Sequence, residues 1–177
     1  MLTSRTCATC SGRCGPLSPE INLGMYSKQA MKSAATRLAG LPGARLPRLR
    51  QLLEEHRGAR PLRFMEAHNG LSGLVAETAR VQDRTFDGLW SSSLTASASQ
   101  GKPDIETVDT TARLELVRQT LEVTSKPLIY DGDTGGHPEI LRFTVRALEN
   151  MGVSACIIED KTGLKQNSLF GTERAQS

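Results

Sequence analysis

Apolar residues fall without a repeating pattern up to Gly43 and become periodic after Pro47. Leu46, Leu49, Leu52 and Leu53 recur at helical spacing and Gly58 offers a stop, so a helix is predicted there. Leu62-Arg63-Phe64-Met65 reads as a short strand leading into the polar loop Glu66 to Gly70. Leu71, Leu74, Val75 and Thr78 then mark a helix, and Phe86 to Trp90 a second strand. A long Ser/Gly-rich loop over 91–104 follows. The next helix has Leu114, Val117 and Leu121 on one face and Asp109 or Thr110 to cap its start. Pro127 to Tyr130 is a third strand. Ile140, Phe143, Thr144, Ala147 and Leu148 define the clearest helix, closed by Gly152. Val153 to Ile158 is apolar throughout and is expected to be a strand buried on both faces.

Strand and helix thus alternate four times with short returns, the signature of parallel βα units. These units build either an open doubly wound sheet or a closed barrel. Every predicted strand ends in polar residues: Glu66, Ser91 to Ser93, Asp131 with Asp133, and Glu159-Asp160-Lys161. Barrels collect their chemistry at such carboxyl ends. The loop after the first strand, Asn69-Gly70-Leu71-Ser72-Gly73, lacks the Gly-x-Gly-x-x-Gly of a dinucleotide fold. The expected fold class is therefore α/β, of the (β/α)8 TIM-barrel type.

Composition narrows the reading. At 177 residues, 38% hydrophobic and 23% charged, the chain suits one globular domain and no fibrous class. No run approaches the roughly 18 apolar residues of a membrane span, and no secretory signal opens the chain, so a cytoplasmic location is expected. Residues 1–60 hold ten Lys/Arg against three Asp/Glu, and the rest hold twelve against sixteen. The basic residues are dispersed and only Tyr26 is aromatic among them, which argues against a nucleic-acid arm. Residues 1–45 are expected to be a disordered or weakly helical extension, with a short helix around 27–38, and 46–177 the barrel-type domain. Cys7, Cys10 and Cys14 have spacings that suit a metal, but no fourth ligand is evident, so reduced thiols are expected. Cys156 lies in an apolar run and reads as a core residue.

The sharpest chemical signal is Asp131-Gly132-Asp133-Thr134-Gly135-Gly136. Two carboxylates at i and i+2 beyond a strand offer hard oxygen ligands for Mg²⁺, and Glu159 at the next strand end adds a third. The alternative is an Asp-rich turn whose side chains bind neighbouring backbone N–H groups. The segment from Glu159 to Ser168 reads either as a lid bringing Lys161, Lys165 and Asn167 to an anion or as a solvated charged loop.

Glu66-Ala67-His68-Asn69-Gly70-Leu71-Ser72, Trp90-Ser91-Ser92-Ser93, the Asp131 to Gly136 run, and Glu159-Asp160-Lys161 followed by Asn167-Ser168 occur in one order over residues 46–174. Together they resemble the phosphoenolpyruvate phosphomutases of the isocitrate lyase/phosphoenolpyruvate mutase superfamily. The resemblance implies a Mg²⁺-dependent barrel that interconverts phosphoenolpyruvate and phosphonopyruvate on the way to phosphonates. It also implies roles. Asp131 binds Mg²⁺ while Asp133 and Glu159 hold its waters. Trp90, Ser91 and Ser92 form the pyruvyl pocket, with Ser92 touching a substrate oxygen. Asp104 sits near the migrating group, and Lys161 and Asn167 serve the phosphoryl group from the lid. A loose, metaphosphate-like transition state asks for positioning, charge stabilisation and exclusion of water, which such a set supplies.

Within the superfamily, the C–C lyases resembled less closely carry a Cys-Gly-His motif in this loop, whereas no cysteine lies between Asp160 and Ser177. A phosphonopyruvate hydrolase is the nearer alternative, and Asn167 favours the mutase. The chain ends at Ser177, short of the roughly 200 residues a barrel needs. It is therefore expected to hold about the first four βα units, to show little or no turnover alone, and to lack the arginine and histidine that the resemblance assigns to later strands. A non-catalytic gene product is the competing expectation. Complete family members are expected to be homo-oligomers.

Overall fold

The computed structural model describes residues 41–161 and 163–167. Cys7, Cys10, Cys14, the helix expected over 27–38 and Ser168 lie outside them. Helices α1 (Leu41–Arg45) and α2 (Arg48–Glu55) open the described chain. They are followed by β1 (Phe64–Glu66), α3 (Gly70–Thr78), the hairpin β2 (Arg80–Val81) and β3 (Arg84–Thr85), β4 (Gly88–Ser91), α4 (Ser93–Ala98), α5 (Thr110–Leu121), β5 (Leu128–Asp131), α6 (Pro138–Met151) and β6 (Ala155–Ile157).

Strands β1, β4, β5 and β6 form one parallel sheet in that order. Sequence-consecutive strands are spatial neighbours and the order never reverses, which is how a barrel is wound. A doubly wound sheet reverses at a switch point.

The register sorts side chains onto two faces. Met65, Leu89, Leu128, Tyr130 and Cys156 share the face under the helices, whereas Glu66, Trp90, Ile129, Asp131 and Ile157 share the other. The core lies on the helix side: Ala67, Ala76, Leu89, Val117, Leu121, Leu128, Tyr130, Leu148 and Val153 are all buried. Leu89 and Leu128 are wholly enclosed.

One expectation is corrected, and two helices form where periodicity placed them but bury only part of the apolar stripe that marks them. The strand over 153–158 is not buried on both faces: β6 covers only Ala155–Ile157, and Ile157 and Ile158 are 46% and 42% exposed. Among the described residues β6 is an outer strand, so one flank has no neighbour. In α3 the buried residues are Gly73 and Ala76, while Leu71 and Val75 point outward. A Cβ on Gly73 would stand 3.0 Å from Thr120 Cγ2, so the small residue lets α3 approach α5 closely. In α6, Thr144 and Leu148 are buried while Ile140 and Phe143 are exposed, because only one side of that helix meets α5.

The loop expected over 91–104 contains α4, which is rich in Ser, Thr and Ala and so shows little apolar period. Among the described residues no helix is long and apolar enough to cross a membrane.

Candidate active site at the strand carboxyl ends

The four strands end side by side at Glu66, Ser91, Asp131 and Ile157. Beyond β5 the chain turns sharply through Asp133, whose φ of +54° lies in the left-handed region that Asp tolerates better than most residues. Gly132 donates its N–H to Ile157 O at 2.7 Å, and a Cβ there would stand 2.9 Å from that oxygen. Glu159 N donates to Asp133 O at 2.7 Å, which binds the two strand exits together.

Asp131 is fixed by neutral donors. Its Oδ2 accepts from Ser93 N at 3.2 Å and Ser93 Oγ at 3.0 Å, and its Oδ1 accepts from Asp133 N at 3.1 Å. The Asx-turn alternative is thus realised at Asp131. Asp133 is buried and meets two cations. Arg113 Nη1 donates to its Oδ2 at 2.6 Å, and Lys165 Nζ donates to its Oδ1. Arg113 also donates to Asp131 O and lies over the Tyr130 ring, 4.5 Å from its centroid. Lys165 Nζ further donates to Ser93 Oγ at 3.1 Å and stands 3.4 Å from Asp104 Oδ1. Asp104 is 3% exposed, and among the described residues its Oδ1 accepts no hydrogen bond.

Burial pushes the Asp133 carboxyl up, against the pull of Lys165, Ser93 and Arg113. Burial opposes charge on Lys165 as well, but its contacts with Asp133 and the nearby Asp104 and Glu159 raise it above the ordinary lysine range. The two cations in contact with Asp133 favour its ionised form, and burial opposes it. Tyr130 is driven up to about 12, chiefly by burial.

The other sequence-predicted residues sort by face. Trp90 is half-buried on the open sheet face, in register with Glu66 and Ile129. Ser92 caps α4, its Oγ accepting from Thr95 N at 3.5 Å. Ser91 was expected in the same pocket, but it is buried in register with Tyr130 on the helix side, one residue out of phase with Trp90. Glu159 pairs with Lys161 at 2.9 Å, both partly exposed, and Asn167 is half-buried.

Asp131, Asp133 and Glu159 therefore occupy neighbouring strand exits but do not converge as a cage. Among the described residues no group of three or more His, Cys, Asp or Glu side chains is arranged to hold a metal ion. Arg113 and Lys165 instead take up the Asp133 oxygens. The donor chemistry still fits Mg²⁺: Asp131 accepts only neutral donors, Asp104 Oδ1 lacks a hydrogen bond, and all are hard carboxylate oxygens.

Three participants escaped the sequence reading or were read differently. Ser93 and Arg113 were not assigned to the site, and Lys165 was read as facing an anion rather than acids. Arg113 did leave a signal, since it precedes Val117 by four residues and so puts a charge on the buried stripe of α5.

A sequence profile of the phosphoenolpyruvate phosphomutase family matches residues 49–177. The chain belongs to the phosphoenolpyruvate phosphomutase family. Among its relatives, the phosphoenolpyruvate phosphomutase of Tetrahymena pyriformis is 36% identical over 114 residues, which is 64% of this chain and 36% of that protein. The crystal structure of phosphoenolpyruvate phosphomutase from Streptomyces platensis subsp. rosaceus superposes with a TM-score of 0.65 at 34% identity, covering 75% of this chain and 44% of that one. Phosphonopyruvate hydrolase, solved in complex with oxalate and Mg++, superposes with a TM-score of 0.60 at 34% identity, covering 69% and 41%. This family member thus spans less than half the length of these relatives, and its parallel α/β fold is of their TIM-barrel type.

Proposed function

We propose that the chain carries the pyruvyl- and Mg²⁺-binding part of a site that interconverts phosphoenolpyruvate and phosphonopyruvate. The single observation that carries this reading is the acid cluster at the strand exits, where Asp131, Asp133 and Asp104 are held together by Ser93, Arg113 and Lys165. Asp131, with Asp133 and Glu159 beside it, would hold Mg²⁺. The ion when bound supplies charge to stabilise an enolate oxygen and a carboxylate.

The chain's own residues do the rest. Trp90 offers a flat apolar wall on the open face to the pyruvyl unit. Ser92 uses its oxygen to cap α4 and keeps its hydroxyl proton for a substrate oxygen. Lys161 and Asn167 follow the Glu159 exit and supply donors for the migrating phosphoryl group, which needs charge and position more than a covalent partner. Asp104, already buried, helps keep water from that group.

The test uses the only tryptophan in the chain. Oxalate, a planar dianion resembling pyruvate enolate, is titrated while Trp90 fluorescence is read with and without Mg²⁺. A saturable change that requires Mg²⁺ and disappears in Asp131→Asn is expected. No Mg²⁺-dependent change would refute the site. Phosphonopyruvate followed by phosphorus NMR then separates the chemistries. Phosphoenolpyruvate as product supports the mutase, and orthophosphate overturns it in favour of a hydrolase.

A further inference from the structure

The opposite end of the sheet holds a polar cavity, of about 380 Å³, between α1, α2 and the loops that enter β4 and β5. Its walls include Arg45, Arg48, Lys126, Ser125, Thr85 and Asp87. Arg45 stands out among them. It is 4% exposed, and its Nε and Nη1 are buried without a hydrogen-bond partner among the described residues. Glu77, an acid whose charge acts on Arg45, accepts from Thr124 Oγ1 at 2.7 Å and Ser125 Oγ at 2.8 Å. Burial accordingly lowers the pKa of Arg45 from the ordinary arginine value.

The other charges do not cancel it. Asp87, the acid in the wall, is gripped by both Nη atoms of Arg60 at 2.7 and 2.8 Å and by Arg63 N at 2.8 Å. Lys126 Nζ donates to Phe86 O at 2.9 Å, which uses one of its three protons. Arg48 reaches Glu55 at 3.2 Å on the exposed side of α2. Among the described residues the cavity is therefore lined by three cations, of which Arg48 is already paired with Glu55, and by one carboxylate already held by Arg60. A buried guanidinium with unmet donors is unfavourable unless an acceptor meets it, and planar, permanently charged arginine is suited to oxyanions.

We propose that this cavity binds a phosphate group, free or as the monoester of a small molecule, with Arg45 as its buried anchor and Lys126 and Arg48 at its rim. The site lies at the amino ends of the strands, so it is separate from the acid cluster at the carboxyl ends.

Thermal unfolding of the full chain is measured in inorganic phosphate against chloride at constant ionic strength, and in glycerol phosphate as the ester arm. A saturable rise in Tm with phosphate is expected, with a tighter midpoint for the ester if the cavity takes more than the bare ion. Arg45→Met should fold at least as well in chloride, because it removes an unpaired charge, and should weaken the phosphate response about tenfold or more. Lys126→Met, at a partly buried rim position, should weaken it less, and Lys161→Gln at the other end should leave it intact. A wild-type chain with no phosphate-specific shift overturns the proposal. So does a response retained in Arg45→Met, or one lost in Lys161→Gln alone.

Discussion

Replacing Lys165 by Met tests whether the cluster is held by its internal cation. The ammonium is 2% exposed, pairs with Asp133, lies 3.4 Å from Asp104 and donates to Ser93 Oγ. Breaking a buried ion pair by removing one partner costs about 3–5 kcal/mol, because the remaining charge stays desolvated. Arg113 still holds the second oxygen of Asp133, which places the loss near the lower end, at about 3 kcal/mol. A buried methionine gives up about as much rotamer freedom as the lysine it replaces, so entropy returns almost nothing. A net destabilisation of about 3 kcal/mol is therefore expected, or a Tm lower by about 6–12 °C for a chain of this size. Urea unfolding followed by circular dichroism measures it. The mechanism is checked by adding Asp104→Asn, which should recover part of the loss, since a neutral amide at that position no longer needs a cation. A Lys165→Met chain as stable as the parent, or additive behaviour of the two changes, would refute a buried electrostatic tie.

Further expectations concern pH and packing. Asp87 is depressed to about 2, first by its hydrogen bonds from Arg60 and then by Arg63, so the folded state holds its proton more weakly than the unfolded chain. That stabilisation is complete above the ordinary Asp value of about 3.9 and is lost as pH falls through about 2. Asp87→Asn should flatten this acid limb in a stability–pH profile. The pKa of Lys165 is raised, so its contribution is complete below the ordinary lysine value and is lost only as pH climbs beyond it; Lys165→Met should remove that alkaline limb. Leu128→Ala, at a fully enclosed position, should cost about 3 kcal/mol in urea unfolding. Gly132→Ala puts a Cβ against Ile157 O and Cys156 Sγ, and should cost about 1–3 kcal/mol while weakening any response of Trp90 to oxalate and Mg²⁺.

The alternation of elements was readable because each predicted strand in the sheet carries a short apolar run and each long helix a recurring apolar stripe. The polar strand exits pointed to the right winding. What periodicity could not report was which side of a helix would be covered. In α3 glycine and alanine sit inward because α5 comes so close, so the larger apolar residues are the exposed ones. In α6 the stripe is wide, and Ile140 and Phe143 fall on the side without a helix beside it among the described residues. At the site, Asp131, Asp133 and Glu159 were legible as acids following strands. The cations on Asp133 were not, since Lys165 reaches it from 32 residues away and Arg113 from a different element. Ser91 shows a related limit, because a motif names four consecutive residues while a strand turns alternate ones to opposite faces.

Arg113 grows from the packed side of α5, stacks on a core tyrosine and ends on the carboxylate of Asp133 and the carbonyl of Asp131. One side chain thereby belongs to the folding core and to the polar rim at once, and the two cannot be tuned separately. A lysine in its place would keep the charge but lose the forked reach and the ring contact. Slippage of α5 by a single residue would carry the guanidinium away from the rim altogether. Divergence of this scaffold toward new substrates is thus tethered to the helix layer, and loops bearing no such anchor are the freer places for it to change.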